Sequence, residues 1–223
     1  MGKPEDDPRF QRVRRQLIEA VTELATEKPA EDISVSELTA KAAIARTTFY
    51  KHADSPAQLL ANHLIRQIQP KIEPLTTLLD DADTHYLLRW RTIMVELLEH
   101  ARDNQQIYSR VFTADGQSVV LAMMSAYFEK VFGEYVESFV EHIDGDAPSD
   151  LWVSMAISQQ VHNLVTVIGS WLRTGMKDSP EMVVTTYISL APPWQLAKFS
   201  PSGRTSLRRN RVVAELLDSM EEK

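Results

Sequence analysis

One short segment near the N-terminus gathers side chains that donate hydrogen bonds or carry positive charge. From Leu38 to Ala53 it contains three basic residues and no acidic one, so its local field attracts phosphate. A short helix that presents such side chains to a groove contacts the phosphates and base edges of DNA. The donors are Arg46, Thr47, Thr48, Tyr50, Lys51 and His52. The segment predicts a DNA contact with Arg46 and Thr47 at base edges; the alternative is an ordinary helical hairpin with a solvated face.

Two short helices are needed to position these donors. Ser34 and Glu37 form a capping box, in which the Ser34 hydroxyl accepts from the Glu37 amide and the Glu37 side chain reaches back. A helix therefore begins at Ser34, and a further helix is expected near residues 46–52. Ala42 and Ala43 are small enough for the two helices to cross closely. The side chains expected between them are Leu38, Ile44 and Phe49.

Apolar residues recur at helical spacing on both sides of this pair. Upstream, a first helix is expected from Pro8 until Lys28, because the residue before Pro29 is disfavoured in the α region. Downstream, a fourth helix begins at Pro56 and is expected to be kinked or interrupted by Pro70 and Pro74. The remaining helices are expected near 84–103, 104–113, 117–142, 149–176 and 180–194.

The composition favours an all-α chain, with 43% hydrophobic residues and only 7 glycines. The absence of cysteine excludes disulfides, thiolate zinc sites and cysteine nucleophiles. The net charge of −7 lies entirely after residue 53, which leaves the N-terminal part relatively basic. We expect an N-terminal helix-turn-helix domain at 1–55, a larger helical domain at 56–197, and a basic tail at 198–223.

The predicted helix pair resembles that of the TetR family of transcriptional regulators over residues 10 to 62. The matching string runs from Ser34 to His52, and its most diagnostic part is Thr-Phe-Tyr-Lys-His, from Thr48 to His52. The resemblance implies that Tyr50 and His52 contact phosphates, that Thr47 faces the groove, and that Ser36 contacts the DNA backbone. It also implies a three-helix DNA-binding head on a helical core that binds ligand and dimerises.

Four positions depart from the family's usual residues. Ala43 stands in the turn where glycine is frequent, and Ala45 cannot cap the recognition helix, which costs about 1 kcal/mol. Ala53 replaces an aromatic residue, and Pro56 removes a cationic contact. These departures favour an alternative, a protein of the same shape that binds a ligand or partner and has weak or lost DNA binding.

The helices after residue 84 supply candidates for an effector site. Aromatic and methionine side chains at helical spacing form adaptable walls, although plain core packing gives the same pattern. An apolar or amphipathic small molecule is the expected effector, and no cofactor is implied. The candidate ligand contacts are Trp90, Met94, Phe112, Met123, Tyr127, Phe128, Trp152, Met155, Gln159 and His162.

Polar residues interrupt the long apolar helix near 149–176. They are Gln159, Gln160, His162 and Asn163. They bond a ligand, bond across a dimer seam, or face solvent. The resemblance implies a homodimer in which 149–176 and 180–194 pair with their copies, so that two heads bind a palindromic operator on double-stranded DNA as a repressor.

Catalysis and membrane insertion are not indicated by any motif. The sequence has no nucleophile elbow, phosphate-cradling glycine loop, histidine-based zinc motif or clustered metal ligands. It also lacks an apolar run long enough to span a bilayer and a secretory signal at its start. A non-enzymatic, cytoplasmic protein is therefore expected.

Overall fold

The computed structural model describes residues 7–79, 86–112, 118–143 and 146–196. Within these ranges the chain is helical and forms no β-strand, which confirms the all-α prediction. None of the described helices is both long and apolar enough to cross a bilayer. The α-helices are α1 (Pro8–Glu27), α2 (Val35–Ala42), α3 (Arg46–Phe49), α4 (Pro56–Ile72), α5 (Tyr86–Asp103), α6 (Gln105–Phe112), α7 (Val119–Glu141), α8 (Asp150–Arg173) and α9 (Pro180–Ile188).

Helix α1 begins and ends where its sequence signals predict. The Asp7 carboxylate accepts a hydrogen bond from the Arg9 amide at 2.8 Å, and Pro8 occupies the first turn, where its missing N–H costs nothing. Lys28, the residue before Pro29, is extended and stops the helix. The apolar face of α1 is buried against α2 and α4.

The capping box at α2 is joined by an ion pair. The Ser34 hydroxyl accepts from the Glu37 amide at 3.1 Å, as predicted. The Glu37 carboxylate hydrogen-bonds the Ser34 backbone and also binds the Lys28 ammonium at 2.6 Å. The hydrogen bond from Lys28 is the largest cause that lowers the pKa of Glu37, and the Ser34 backbone lowers it further. The contact with Lys28 also ties α2 to the end of α1.

Helix α4 continues past Pro70 but ends before Pro74. Pro70 lies within the helix, which ends at Ile72, and Pro74 lies in the following 3-10 turn. Pro70 is exposed and, as a proline, has no N–H to donate to the helix. The interruption therefore comes at the second proline.

The core is centred on α7, which packs against α4 on one side and α8 on the other. Burial on two sides agrees with the aromatic and apolar residues that cover more than one face of this helix. Its buried residues are Val120, Met124, Phe128, Val131, Phe132, Tyr135, Val136 and Phe139.

The last described helix is shorter than the predicted range of 180–194. Helix α9 stops at Ile188, and tight turns follow it. In these turns the Leu190 amide donates to the Tyr187 carbonyl at 2.8 Å, and the Ala191 amide donates to the Ile188 carbonyl at 3.3 Å. Two prolines then prevent further helix, and residues 193–196 form a 3-10 turn. The predicted basic tail at 198–223 lies outside the described residues.

Candidate nucleic-acid interface

The turn between α2 and α3 is a left-handed cap built on alanine. Ala43 has a φ of 54°, and its amide bonds the Ala40 carbonyl at 3.2 Å. The Ile44 amide bonds the Thr39 carbonyl at 2.9 Å, which completes a Schellman motif. Ala43 is exposed and lies in the turn rather than at the helix crossing, where only Ala42 is buried. The predicted position of Ala43 in the turn is thus confirmed, whereas its predicted part in the close helix crossing is wrong because its methyl group faces solvent.

The recognition helix α3 is shorter than predicted. Its α-helical part ends at Phe49, and the amides of Lys51 and His52 bond carbonyls three residues back, at 3.1 and 2.8 Å. Residues 50–52 therefore continue as a tighter turn. No side chain caps α3 at Ala45. Phe49 is fully buried and anchors the short helix in the head.

Most predicted DNA contacts lie on an accessible surface. Arg46, Thr47 and Lys51 are exposed, and Tyr50 exposes 59% of its surface, which is high for an aromatic residue without a partner to cover it. Ser36 and Thr48 are half-buried. The exposed members of this set form a surface of donors, which we call the recognition surface: Arg46, Thr47, Tyr50 and Lys51.

The positive charge of this surface is not neutralised by neighbouring acids. Lys41 is paired with Glu23 of α1 at 2.7 Å, so it contributes less to the local field than its sequence position implies. Arg46 and Lys51 have no carboxylate within ion-pair distance among the described residues. These two cations are therefore available to phosphate or base edges.

His52 is held differently from the other predicted phosphate contacts. Its ring is half-buried and stacks on Phe10 of α1, with 3.9 Å between ring centroids. Burial, followed by the charges of Arg14 and Lys51, lowers the pKa of His52 below its ordinary value of 6.5. The ring is therefore neutral at pH 7, and its buried Nδ1 has no hydrogen-bond partner in the described structure. The stacking brings the first turns of α1 beside the recognition surface.

The helical core contains a small cavity between α5, α7, α8 and α9. Two predicted ligand contacts, Trp90 and Met94, line this cavity. The other lining residues are Leu98, Phe132, Gln160, Asn163, Leu164, Val167, Val184 and Tyr187. No charged side chain borders it, so the cavity suits an uncharged group.

The remaining predicted ligand contacts lie off this cavity. Phe112 and Phe128 are buried elsewhere in the core, and the half-buried members are Met123, Tyr127 and Trp152. The three members on α8 (Met155, Gln159 and His162) are exposed. The register of α8 explains this difference, because residues 160, 163, 164 and 167 form the inward stripe and residues 155, 159 and 162 the outward one.

The polar residues of α8 have separate environments. Gln160 is 2% exposed and donates to the Gln195 side chain at 3.3 Å, while Asn163 donates to the Tyr187 hydroxyl at 3.1 Å. Gln159 and His162 face outward. Sequence reasoning identified this polar cluster but selected its outward members, and it missed Tyr187, which only the return of α9 brings into the core.

Four large apolar side chains are exposed on α8, on α9 and just after α9. Leu151, Met155, Met182 and Leu190 expose 53% to 78% of their surfaces. These helices are the ones for which the sequence predicts dimer contacts.

The described residues contain no cluster of histidine and carboxylate side chains able to hold a metal ion.

No curated protein shows significant similarity to the sequence. Residues 89–191 match a family model, TetR_C_8, described as a transcriptional regulator C-terminal region.

Solved structures of similar fold cover most of the chain. A TetR transcriptional regulator from Streptococcus agalactiae 2603V has a TM-score of 0.58 and 19% identity, over 83% of this chain and 97% of that one. The SmeT–triclosan complex has a TM-score of 0.56 and 14% identity, over 80% and 90%. NalD, the secondary repressor of the MexAB-OprM multidrug efflux pump in Pseudomonas aeruginosa, has a TM-score of 0.54 and 17% identity, over 81% and 95%. The chain therefore has the fold of TetR-family regulators, and its residues 89–191 match the C-terminal region of transcriptional regulators of this type.

Proposed function

We propose that the protein is a DNA-binding repressor that acts as a homodimer and releases its operator when a small molecule binds its helical core. The observation that carries the proposal is the recognition surface, whose residues are exposed on α3 and in the turn that follows it: Arg46, Thr47, Tyr50 and Lys51. The buried Phe49 anchors this helix in the head. Such a helix reads base edges with its first residues while its flanks hold phosphates. The proposal also includes a boundary between the DNA-binding head and the helical core at residue 55. It places the protein in the cytoplasm, where operator DNA is found.

A dimer is required for specific binding by so short a helix. One helix contacts only a few base pairs, whereas two heads one helical turn apart, about 34 Å, read a palindrome. The exposed apolar residues of α8 and α9 support pairing through these helices. The complex of SmeT with triclosan and the repressor role of NalD support, by similarity of fold, the effector and repressor parts of the proposal.

A second function is favoured by two observations on the head. Ala45 leaves α3 uncapped, and His52 is half-buried against Phe10 rather than free to reach a phosphate. Both weaken the hold on DNA relative to a head with a capped helix and an exposed cation. In this alternative the chain keeps the fold and serves as a ligand-binding or interaction protein.

The affinity of the full-length protein for genomic fragments, including the region upstream of its own gene, separates the two functions. The wild type is titrated across a salt series beside Tyr50→Ala, Arg46→Ala and the matched control Arg102→Ala, an exposed arginine on α5. We expect sequence-specific, salt-sensitive binding, with each head variant at least about tenfold weaker and Arg102→Ala unchanged. Binding without sequence preference at low salt would establish the alternative.

A further inference from the structure

A short segment of the chain itself fills the polar centre of the core. After α9, residues 191–196 turn inward and place Gln195, which is 1% exposed, between α5, α8 and α9. The Gln195 side-chain oxygen accepts from the Tyr187 hydroxyl at 2.8 Å and from the Gln160 amide at 3.3 Å. Its backbone carbonyl accepts from the Tyr86 hydroxyl at 2.8 Å. Three donors on three helices thus converge on one residue.

The neighbouring residue of the segment occupies an aromatic site. The indole ring of Trp194 contacts Phe139 and Trp152 edge to face, with centroids 5.1 and 5.6 Å away, and lies 6.5 Å from Tyr135. Edge-to-face packing of this kind is favourable and selects a flat ring. A half-buried aromatic ring, packed against the core, and a buried carbonyl acceptor therefore lie side by side, both supplied by the protein.

The hold on this segment comes from side chains rather than from regular secondary structure. Its only described backbone hydrogen bonds are local turns, such as that from the Gln195 amide to the Pro192 carbonyl at 3.0 Å. Prolines before Trp194 restrict its backbone, so little entropy is lost when it docks. A segment held in this way separates from the core without breaking a helix.

The surroundings retain donors that the segment does not satisfy. The Trp90 indole N–H borders the small cavity beside Tyr187 and has no partner among the described residues; neither has the Tyr135 hydroxyl, which is fully buried. Burial raises the pKa of Tyr86, Tyr135 and Tyr187, so their hydroxyls keep their protons and act as donors. Buried donors without acceptors are costly, and a ligand that supplies acceptors removes this cost.

We propose that Trp194 and Gln195 are an internal occupant of the effector site, and that an uncharged effector with an aromatic ring next to a carbonyl or carboxamide displaces them. The ring takes the place of the indole, and the acceptor receives the hydrogen bonds of Tyr187 and Gln160. No carboxylate, ammonium, guanidinium or imidazole group lines the small cavity, so a charged ligand loses its hydration without compensation. Only the identification of the ligand as the effector rests on the proposed function. Occupancy of the site by Trp194 and Gln195, and their displacement, are properties of the isolated protein.

The test is binding of benzanilide, a neutral aromatic amide, to the full chain without DNA. Gln195→Ala removes the competing acceptor, so more of the protein is ready to bind and the apparent Kd falls roughly fivefold to tenfold. Gln195→Leu, which keeps more of the volume, changes the Kd in the same direction. Gln106→Ala, the same substitution at an exposed position of α6, leaves the Kd unchanged. Benzoate is expected to bind at least tenfold more weakly than benzanilide.

Tryptophan fluorescence reports whether the segment leaves. Displacement exposes Trp194 to water, so benzanilide is expected to shift the emission to longer wavelength in the wild type but not in Trp194→Phe. The proposal is overturned if benzanilide does not bind, if Gln195→Ala binds it no more tightly, or if binding occurs without the shift, since the ligand then lies elsewhere. It is also overturned if benzoate binds equally well. Failure of operator binding with these results intact would reject the repressor and not the site.

Discussion

The Arg110 side chain of α6 donates two hydrogen bonds to the backbone carbonyl of Thr26, at 3.1 and 2.9 Å. Thr26 lies in the last turn of α1, where carbonyls lack partners within the helix. The core thus supplies a cation to the end of a helix that belongs to the DNA-binding head. A second link lies nearby, since the Glu31 carboxylate accepts from the Val119 amide at 2.8 Å. A shift of α6 therefore acts directly on α1, and a shift of α7 acts on the 3-10 turn that follows α1.

Arg110→Met is expected to loosen the end of α1 without unfolding the core. It removes charge-assisted hydrogen bonds worth about 1–2 kcal/mol, which lowers the Tm by roughly 3–6 °C. Hydrogen exchange of the amides of residues 24–30 should accelerate, while that of α7 stays unchanged. Arg102→Met is the matched control, because Arg102 is exposed and lies 3.7 Å from Glu99. Equal exchange rates in the two variants would show that the contact with Thr26 does not hold α1.

Ala43→Gly is expected to stabilise the head. At a φ of 54° the alanine methyl group is strained, and its removal outweighs the greater freedom of glycine in the unfolded chain. We expect a gain of about 0.5–1 kcal/mol, seen as a Tm higher by roughly 1–3 °C in calorimetry. Ala40→Gly, at an exposed helical position in α2, should lower the Tm by a similar amount. A fall in Tm for both variants would refute the argument from strain.

Most helices could be predicted because their signals are local. Asp7, Ser34 and Ser55 cap helices as their types suggest, and Gly175 adopts the left-handed conformation after α8. Apolar spacing then gives the buried faces. The differences lie at helix ends, as where α9 stops at Ile188 instead of continuing to residue 194.

The binding sites could be predicted less completely because they depend on register and on distant segments. The pattern of α8 shows polar residues but not which of Gln159 and Gln160 faces inward, since that depends on how the helix lies on α7. The role of Gln195 requires the chain to turn back after α9 and meet Tyr86, which is 109 residues away in sequence. Likewise, no local signal places Phe10 on His52.

Operator binding is expected to strengthen as the pH falls, through His52. Burial and the nearby cations lower the pKa of His52 in the free protein, so its ring is neutral at pH 7. A DNA phosphate favours the protonated ring, so binding takes up a proton, and affinity rises as the pH approaches the pKa of the free protein. Between about pH 7.5 and 5.5 we expect a gain of roughly threefold to tenfold, absent in His52→Gln.

His63 needs its own control in this experiment. Burial and the charge of Arg14 also lower the pKa of His63. His63→Gln should retain the pH dependence of operator affinity, because His63 lies within α4, apart from the recognition surface. A pH dependence lost in His63→Gln and kept in His52→Gln would assign the proton to α4 instead.

Leu151→Glu with Met155→Glu is expected to separate the protomers. Both side chains are exposed on α8, by 69% and 63%, so two carboxylates do not disturb the core of one protomer but bring four like charges together in a dimer. Light scattering should give about twice the 25.3 kDa chain mass for the wild type and the single mass for the variant. Operator affinity should fall at least about a hundredfold, since each head then binds alone.

Leu88→Glu, at a leucine 60% exposed on α5, is the matched control and should leave both mass and affinity unchanged. A wild type that stays monomeric at all concentrations would reject the dimer, whereas a Leu151→Glu, Met155→Glu protein that stays dimeric would move the interface away from this end of α8.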